Sequence, residues 1–572
     1  MIYPLEKIKD DIQKQLKELL IEHNIEIRLE AAPEGMGDYA FPCFSLAPIL
    51  KKSPNDIAID ISKKIVKGKY IESIEAKSGY VNFHVNNSYL FPETLDLILK
   101  NDNKYGHLKN KEKKVIIEHT SANPNGPLHV GRARNPIIGD TLVRIFKAAG
   151  YNVESQFYLD DMGKQVAILA WGINNLDQKD IPKSEINKED HKKVGYYQLA
   201  NKLMKEKNEI ESGISEIIKN SEQGDKKTLE MIHKAYNPVL KGMNESLKKI
   251  NIEIDRYVAE SQFVLDKSVD DVIENLKKTK YCDKEDDAFY LDLESFGIHG
   301  RNTKFFFQRK DGTSLYATRD IAYHKWKSNE ADILINVLGE DHKLESKQVE
   351  IALKLLNVNI IPNPIFYAFV SLPGGKMSTR RGRVVYLDEL IEECTERAYS
   401  EVKKRRSSEL SDKKMKEIAS IVGIGALRYN IIKVQPEKDI VFKWEEALNF
   451  EGNAVPFIQY AHARACSILL KAEKVKDYDA KLLTHESEIK LIKQLTNFPL
   501  IIEEASNGFK PHLIAGYLFD TASKFNQFYR DCPVLHEKNQ VLRNSRIVLV
   551  DGVRIVLRNA LDLLGVVAPE EM

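Results

Sequence analysis

Apolar residues recur at helical spacing through Leu5, Ile8, Ile12, Leu16 and Leu19, so the chain opens on an amphipathic helix. Ser53 followed by Pro54 marks the start of a second helix, with Ile57, Ile61 and Ile65 along one side. Val81, Phe83 and Val85 then alternate like a strand after Gly79, and Leu95 to Leu99 form a short closing helix. Together these elements predict a small α/β unit over residues 1–110. The basic stretch from Lys109 to Lys114 that ends it reads equally well as a domain linker or as a solvated charge run.

From Val115 the texture changes to short apolar strands alternating with helices, the pattern of a doubly wound, Rossmann-like parallel sheet. This central unit is expected over residues 111–411. Polar, helix-rich sequence from roughly 173 to 280 interrupts it and reads as an insertion, and the strand pattern resumes near Phe305 and runs past Lys376. Beyond it the spacing is helical to the end, as in Ile514, Leu518, Thr521, Phe525 and Phe528 after Pro511. The expected fold class is therefore α/β and multidomain: an N-terminal α/β domain, a Rossmann-like parallel-sheet domain and a C-terminal α-helical bundle over residues 412–572.

Composition narrows this picture modestly. A chain of 572 residues, 43% hydrophobic, is too long for one core and implies several. Its 85 basic residues nearly cancel its 84 acidic ones, so a nucleic-acid partner would have to be held by a local basic face. Five cysteines, Cys43, Cys282, Cys394, Cys466 and Cys532, lie far apart without C-x-x-C spacing, which predicts reduced thiols and no zinc. No apolar stretch has membrane-spanning length, and the N-terminus lacks a signal-peptide pattern. A cytoplasmic protein without membrane association is expected.

The most informative segment runs from Val115 to Asp140. An apolar strand leads through a loop of small and turn-forming residues into a helix whose inner face carries Ile137, Ile138, Leu142 and Phe146. His129 and Gly131 fall where that helix begins, where free backbone N–H groups and the helix dipole favour phosphate and a glycine lets a nucleotide approach. Downstream, Gly374, Gly375, Lys376, Met377, Ser378, Thr379 and Arg380 form a glycine-flanked basic loop. Lys376 offers a compact positive charge and Ser378 a hydroxyl donor.

Pro127-Leu128-His129-Val130-Gly131, preceded by Ser121, Asn123 and Pro124, resembles the HIGH signature of class I aminoacyl-tRNA synthetases, and the loop at Lys376 resembles their KMSKS signature. The form of both is most similar to arginyl-tRNA synthetases, and the resemblance spans essentially the whole chain. One departure is Arg132, which stands where the family usually has its second histidine; it is permanently charged and can still donate to phosphate. The resemblance implies ATP as substrate, with its Mg2+ carried on the nucleotide and no metal held by the protein. It further implies His129, Gly131, Arg132, His342, Lys376, Met377, Ser378 and Arg380 around ATP, with His129, Lys376 and Arg132 as electrostatic clamps.

The same resemblance assigns the amino acid. Tyr316 and Asp320 match the family's residues for the substrate side chain, and at four residues apart they would share a helix face. Glu118, Ser121 and Asn123 match positions at the substrate's head, and Gln165 adds a side-chain contact. The carboxylates suit arginine, whose guanidinium is planar and permanently charged. Read without the family, the structural readings are the better ones: Asp320 pairing with Arg319 or a neighbouring lysine, and Glu118 capping a strand end.

Gly37-Asp38-Tyr39-Ala40 matches the family's N-terminal domain, which touches the corner of the tRNA. Tyr460 to Arg464 and Phe525 to Tyr529 match its anticodon-binding bundle, so tRNA(Arg) is the implied partner of a monomer. Glu571 replaces the arginine that often precedes the final methionine. The rival readings are a synthetase of this class for cysteine or glutamate, a small nucleotidyltransferase, and an inactive RNA-binding relative. The first needs zinc-ligand cysteines or pocket arginines that are absent here, the second would not need the terminal domains, and His129, Lys376 and Ser378 argue against the third.

Overall fold

The computed structural model describes residues 2–23, 25–33, 35–372, 375–376, 379–380 and 383–572. The helix Pro4–Leu19 buries Leu5, Ile8, Ile12 and Leu16 against a four-stranded antiparallel sheet ordered Glu30–Ala31, Tyr39–Pro42, Tyr80–Val85, Ile71–Lys77. Ser53 caps the helix Pro54–Lys64, its side chain accepting from the Asp56 backbone N–H at 3.1 Å, as the Ser-Pro pair predicts. The helix Asn87–Asn101 closes the unit.

A five-stranded parallel sheet forms the centre, in the order Asn363–Tyr367, Ile333–Gly339, Lys114–Glu118, Asn152–Leu159, Arg256–Ala259. Val115, Ile116 and Ile117 are fully buried, as expected of a strand covered on both faces. From Lys114–Glu118 the chain crosses to Asn152–Leu159 on one side and later to Ile333–Gly339 on the other. This reversal opens a crevice at the carboxyl ends of the strands, where such sheets bind ligands.

The edge strand Arg256–Ala259 lies inside the segment that reads as an insertion, after the helices Glu189–Glu206, Asn208–Glu222 and Lys226–Lys249. The sequence near Phe305 forms Lys304–Gln308, which belongs to a separate three-stranded antiparallel sheet with Ala288–Asp292 and Cys282–Glu285. The parallel sheet itself resumes only at Ile333. Past Leu387 the chain is almost wholly helical, with seven helices of ten or more residues among those described.

Two buried arginines tie these parts together. Arg428 donates to the backbone carbonyls of Ile250 at 2.7 Å and Leu564 at 2.6 Å and pairs with Asp140, joining the helix Arg134–Ala148 to the insertion and the C-terminus. Gly565 lies against it with φ +65°, and a Cβ there would sit 2.3 Å from the guanidinium. Arg134 donates to Ala368 O, to Lys438 O at 2.8 Å and to Gln435 O at 2.9 Å. Four of the five cysteines are buried and all are free. No described helix is long and apolar enough to cross a membrane.

Candidate active site

A cavity of about 1200 Å3 occupies the crevice. Each strand of the sheet sends its last residue, or the one after it, into the lining: Glu118, Asp160, Glu260, Gly339 and Tyr367. Of the residues expected to bind ligands, Glu118, Ser121, Asn123, Arg132, Gln165, Tyr316, Asp320 and His342 line this one cavity. His129 and Gly131 stand beside Arg132 in the short turn Val130–Arg132 that leads into the helix Arg134–Ala148.

The Gly131 N–H donates to His129 Nδ1 at 3.1 Å. A backbone N–H can only donate, so the neutral imidazole carries its proton on Nε2 and can offer it to an anion. Arg132 is exposed at the rim. His342 Nδ1–H donates to Glu345 Oε2, 3.0 Å away, and that contact holds the imidazole above its ordinary value.

The loop between strand and helix is held in an unusual backbone. Thr120 and Ser121 have φ of +72° and +36°, a region that side-chain-bearing residues avoid at a cost of about 1–3 kcal/mol each. Asn135 stabilises the turn by accepting from the Thr120 N–H at 2.6 Å and donating to Val337 O at 2.8 Å. As a result Ser121 Oγ accepts from the Tyr158 N–H at 3.1 Å and donates to Glu118 Oε1 at 3.1 Å. Gln165 Oε1 accepts from Asn125 Nδ2.

Tyr316 opens the helix Tyr316–Lys327, and Asp320 follows one turn later on the same cavity wall. The ring of Tyr316 is 48% exposed because it faces the cavity. Asp320 faces His324 rather than Arg319: the His324 Nδ1 lies 3.1 Å from its Oδ1. Burial works to raise the Asp320 carboxyl, and His324, Lys327 and His342 outweigh it, so the group sits below its usual range. Glu118 is engaged by Lys327, whose Nζ lies 2.7 Å from Oε2.

Glu260 is a site residue that the sequence reading missed. It follows the edge strand, is fully buried, pairs with Arg319 and accepts from the Tyr158 hydroxyl at 3.3 Å. Burial lifts its carboxyl to about 8. Glu222, from the insertion, pairs with the other side of Arg319. The available signal was the short Tyr257-Val258-Ala259 run ahead of an acid, which resembles the other strand ends.

Met377 and Ser378 lie outside the described residues, as do the side chains of Lys376 and Arg380. The backbone on either side is fixed. Gly375–Lys376 pairs with Val370–Leu372, and the exit of the loop pairs with the His129 segment: Val130 N–H donates to Val385 O at 3.0 Å and Leu387 N–H to Leu128 O at 2.8 Å. The next residue, Asp388, is buried among Lys188, His191, Ser246 and Lys249. Asp190, His191 and Asp388 are close enough to share a cation. The Lys188 ammonium already bridges both carboxylates, at 3.0 and 2.6 Å, which makes this an ion-pair cluster.

Three families match the chain in order: "Arginyl tRNA synthetase N terminal domain" over residues 6–85, "tRNA synthetases class I (R), catalytic domain" over 94–444, and "DALR anticodon binding domain" over 458–572. The chain is 46% identical over 529 residues to an arginine-tRNA ligase of Methanocella arvoryzae, covering 92% of each. It is 44% identical over 574 residues to an arginine-tRNA ligase of Methanothermobacter thermautotrophicus, covering 100% of each. Among solved structures it is similar to the arginyl-tRNA synthetase of Thermus thermophilus, with a TM-score of 0.83, 28% identity, and coverage of 98% of this chain and 100% of that one.

Proposed function

The chain belongs to the arginyl-tRNA synthetase family, and from that premise we propose how its own residues divide the reaction. The protein is a class I arginine-tRNA ligase. The arginine carboxylate attacks the α-phosphate of ATP and releases pyrophosphate; the terminal ribose hydroxyl of tRNA then attacks the arginyl carbonyl and releases AMP. Neither step needs a protein nucleophile, so the residues act by alignment and by stabilising charge.

Glu118, Ser121 and Asn123 take the amino and carboxylate head of arginine, while Tyr316 and Asp320, with Gln165, take its side chain. Glu260, buried on the same wall, adds a further carboxylate for the guanidinium. ATP, entering as its magnesium complex, lies between the His129–Gly131–Arg132 turn and His342, and the loop bearing Lys376, Met377, Ser378 and Arg380 closes on its phosphates. The observation that supports this division most strongly is the collection of carboxylates on one cavity wall facing a cationic rim. No zinc has a part in it.

Residues 1–110 and 412–572 flank the catalytic unit of 111–411 and hold tRNA(Arg), with the protein acting as a cytoplasmic monomer. In the C-terminal bundle Arg464 lies between the rings of Tyr460 and Tyr529, at 4.8 and 5.1 Å, and both tyrosines are over 40% exposed. Exposed rings held in this way suit stacking on unpaired bases.

Replacing Asp320 tests the site. Asp320→Asn keeps the shape and removes the charge, and we expect the arginine KM in aminoacylation to rise about 10- to 100-fold, the range for one charge-assisted contact. The ATP KM should stay within about twofold. Equal changes in both would remove Asp320 from the arginine pocket.

A further inference from the structure

Along the cavity wall an unbroken line of hydrogen bonds joins the two acidic ends of the arginine pocket. Lys327 Nζ lies 2.7 Å from Glu118 Oε2 and 2.9 Å from Asn336 Oδ1. Asn336 Nδ2 meets His324 Nε2 at 2.5 Å. His324 Nδ1 lies 2.7 Å from the Asp320 backbone oxygen and 3.1 Å from its carboxylate. Lys327, Asn336 and His324 are all buried, and Lys327 also rests on the Tyr323 ring at 4.3 Å.

The chemistry of the donors fixes every proton along this line. An ammonium only donates, so the Asn336 oxygen must face Lys327 and its NH2 must face His324. His324 Nε2 is therefore an acceptor, and the neutral ring carries its proton on Nδ1, directed at Asp320. Through Asn336, Lys327 thus sets the tautomer of the histidine one turn before it on the same helix. Rotating the Asn336 amide would put its NH2 against the ammonium and its oxygen against Nε2, and the Asp320 carboxylate would then lose its donor.

We infer that Lys327, Asn336 and His324 form a positioning relay that couples Glu118, at the head of bound arginine, to Asp320, at its guanidinium. The inference rests on the reading of those two carboxylates as arginine ligands. Lys327 does not line the cavity, and His324 and Asn336, which do, act through the two carboxylates they hold in place. Their effect is to hold Asp320 ionised with one face occupied by His324 Nδ1–H, leaving the other for the guanidinium, and to make that arrangement depend on Glu118 being an intact partner of Lys327.

The test uses the full chain in arginine-dependent ATP–pyrophosphate exchange with tRNA present. Asn336→Leu cuts the relay at its middle and leaves both carboxylates, and should raise the arginine KM about tenfold with the ATP KM within about twofold. Asn336→Asp provides the sharper reading, because a carboxylate offers only acceptors. His324 then keeps both protons at low pH and, once neutral, holds its remaining proton on Nε2, leaving Nδ1 bare against Asp320. The groups facing it are Asp320 and Lys327 on its own helix, Glu118 and Asn336 on the neighbouring strands, and His342 across Asp320.

The ratio of variant to parent arginine KM should therefore climb with rising pH, because only the neutral ring has a tautomer for the new carboxylate to change. A merely structural role predicts a ratio independent of pH. A flat ratio for Asn336→Asp sinks the relay, whether or not Asn336→Leu folds. If Asp320→Asn itself leaves the arginine KM unchanged, it is the pocket assignment that fails; if Asp320→Asn raises it and both Asn336 variants match the parent, only the relay fails.

Discussion

Two buried clusters of charged side chains sit within the catalytic unit, one at the exit of the basic loop and one on the cavity wall. Around Asp388 the charges close. Lys188 and Lys249 approach its carboxylate at 2.6 and 3.1 Å, His191 at 3.1 Å and Ser246 at 2.9 Å, and Lys188 also meets Asp190. Two ammonium groups answer two carboxylates. On the cavity wall the acids outnumber their direct partners: Lys327 pairs with Glu118, Arg319 with Glu222 and Glu260, and His324 lies against Asp320, while Asp160 lines the same cavity. The first arrangement is complete without a ligand and fastens the loop exit to the insertion. The second holds more acids than bases in an open cavity, and burial lifts Asp160, Glu222 and Glu260 toward their neutral forms, so it gains most when a cation arrives.

The comparison breaks most visibly at Asp388. Its carboxyl is held far below the ordinary range: burial opposes ionisation, but the contacts from His191, Lys188 and Lys249 prevail. Asp388→Ala leaves Lys188 buried with one partner fewer, and should cost about 3–5 kcal/mol in denaturant unfolding. Because the folded carboxyl lies below its unfolded value, this stability is present above about pH 4 and is lost as pH falls below it. The parent should lose stability there more steeply than Asp388→Ala. A variant as stable as the parent at neutral pH would mean that the cluster does not fasten anything.

Glu260 should behave in the opposite way. Glu260→Gln replaces a buried acid that burial already holds toward its neutral form with a neutral side chain of the same shape, so its unfolding midpoint is expected to match or exceed the parent's, while the arginine KM rises about tenfold. The free-state carboxyl, raised to about 8 chiefly by burial, must lose its proton to meet a guanidinium. Arginine affinity therefore falls as pH drops below about 8 in the parent, and Glu260→Gln should flatten that limb. A variant that unfolds earlier and binds arginine normally would place Glu260 with the structural ions.

The sequence exposed these two clusters unequally. Tyr316, Asp320, His324 and Lys327 recur at intervals of three and four along one helix, so a polar face was legible before any fold was known. What that face meets was not, since Asn336 and Glu118 arrive from separate strands. The Asp388 cluster draws on Lys188 and Ser246, each more than 140 residues away, and nothing local marks them as partners. The edge strand Arg256–Ala259 was hidden for a different reason: four residues beside a long polar, helical stretch carry too little alternation to register, although they deliver Glu260 to the site. Family resemblance pointed to the turn from His129 to Arg132 through a run of neighbouring residues, and Arg132 from that turn lines the cavity.

The smallest effect gives the finest discrimination. Lys249 is half exposed, and its ammonium is one of four donors to Asp388. An exposed partner of a buried ion contributes little, because water replaces it at modest cost, so Lys249→Met should change unfolding stability by less than about 1 kcal/mol. Adenylate formation should also hold, because Lys188, His191 and Ser246 still fix the carboxylate at the loop exit. If instead pyrophosphate exchange slows while stability is kept, total charge at the loop exit governs closure over ATP, and the boundary drawn between a structural and a functional cluster would have to move to include Asp388.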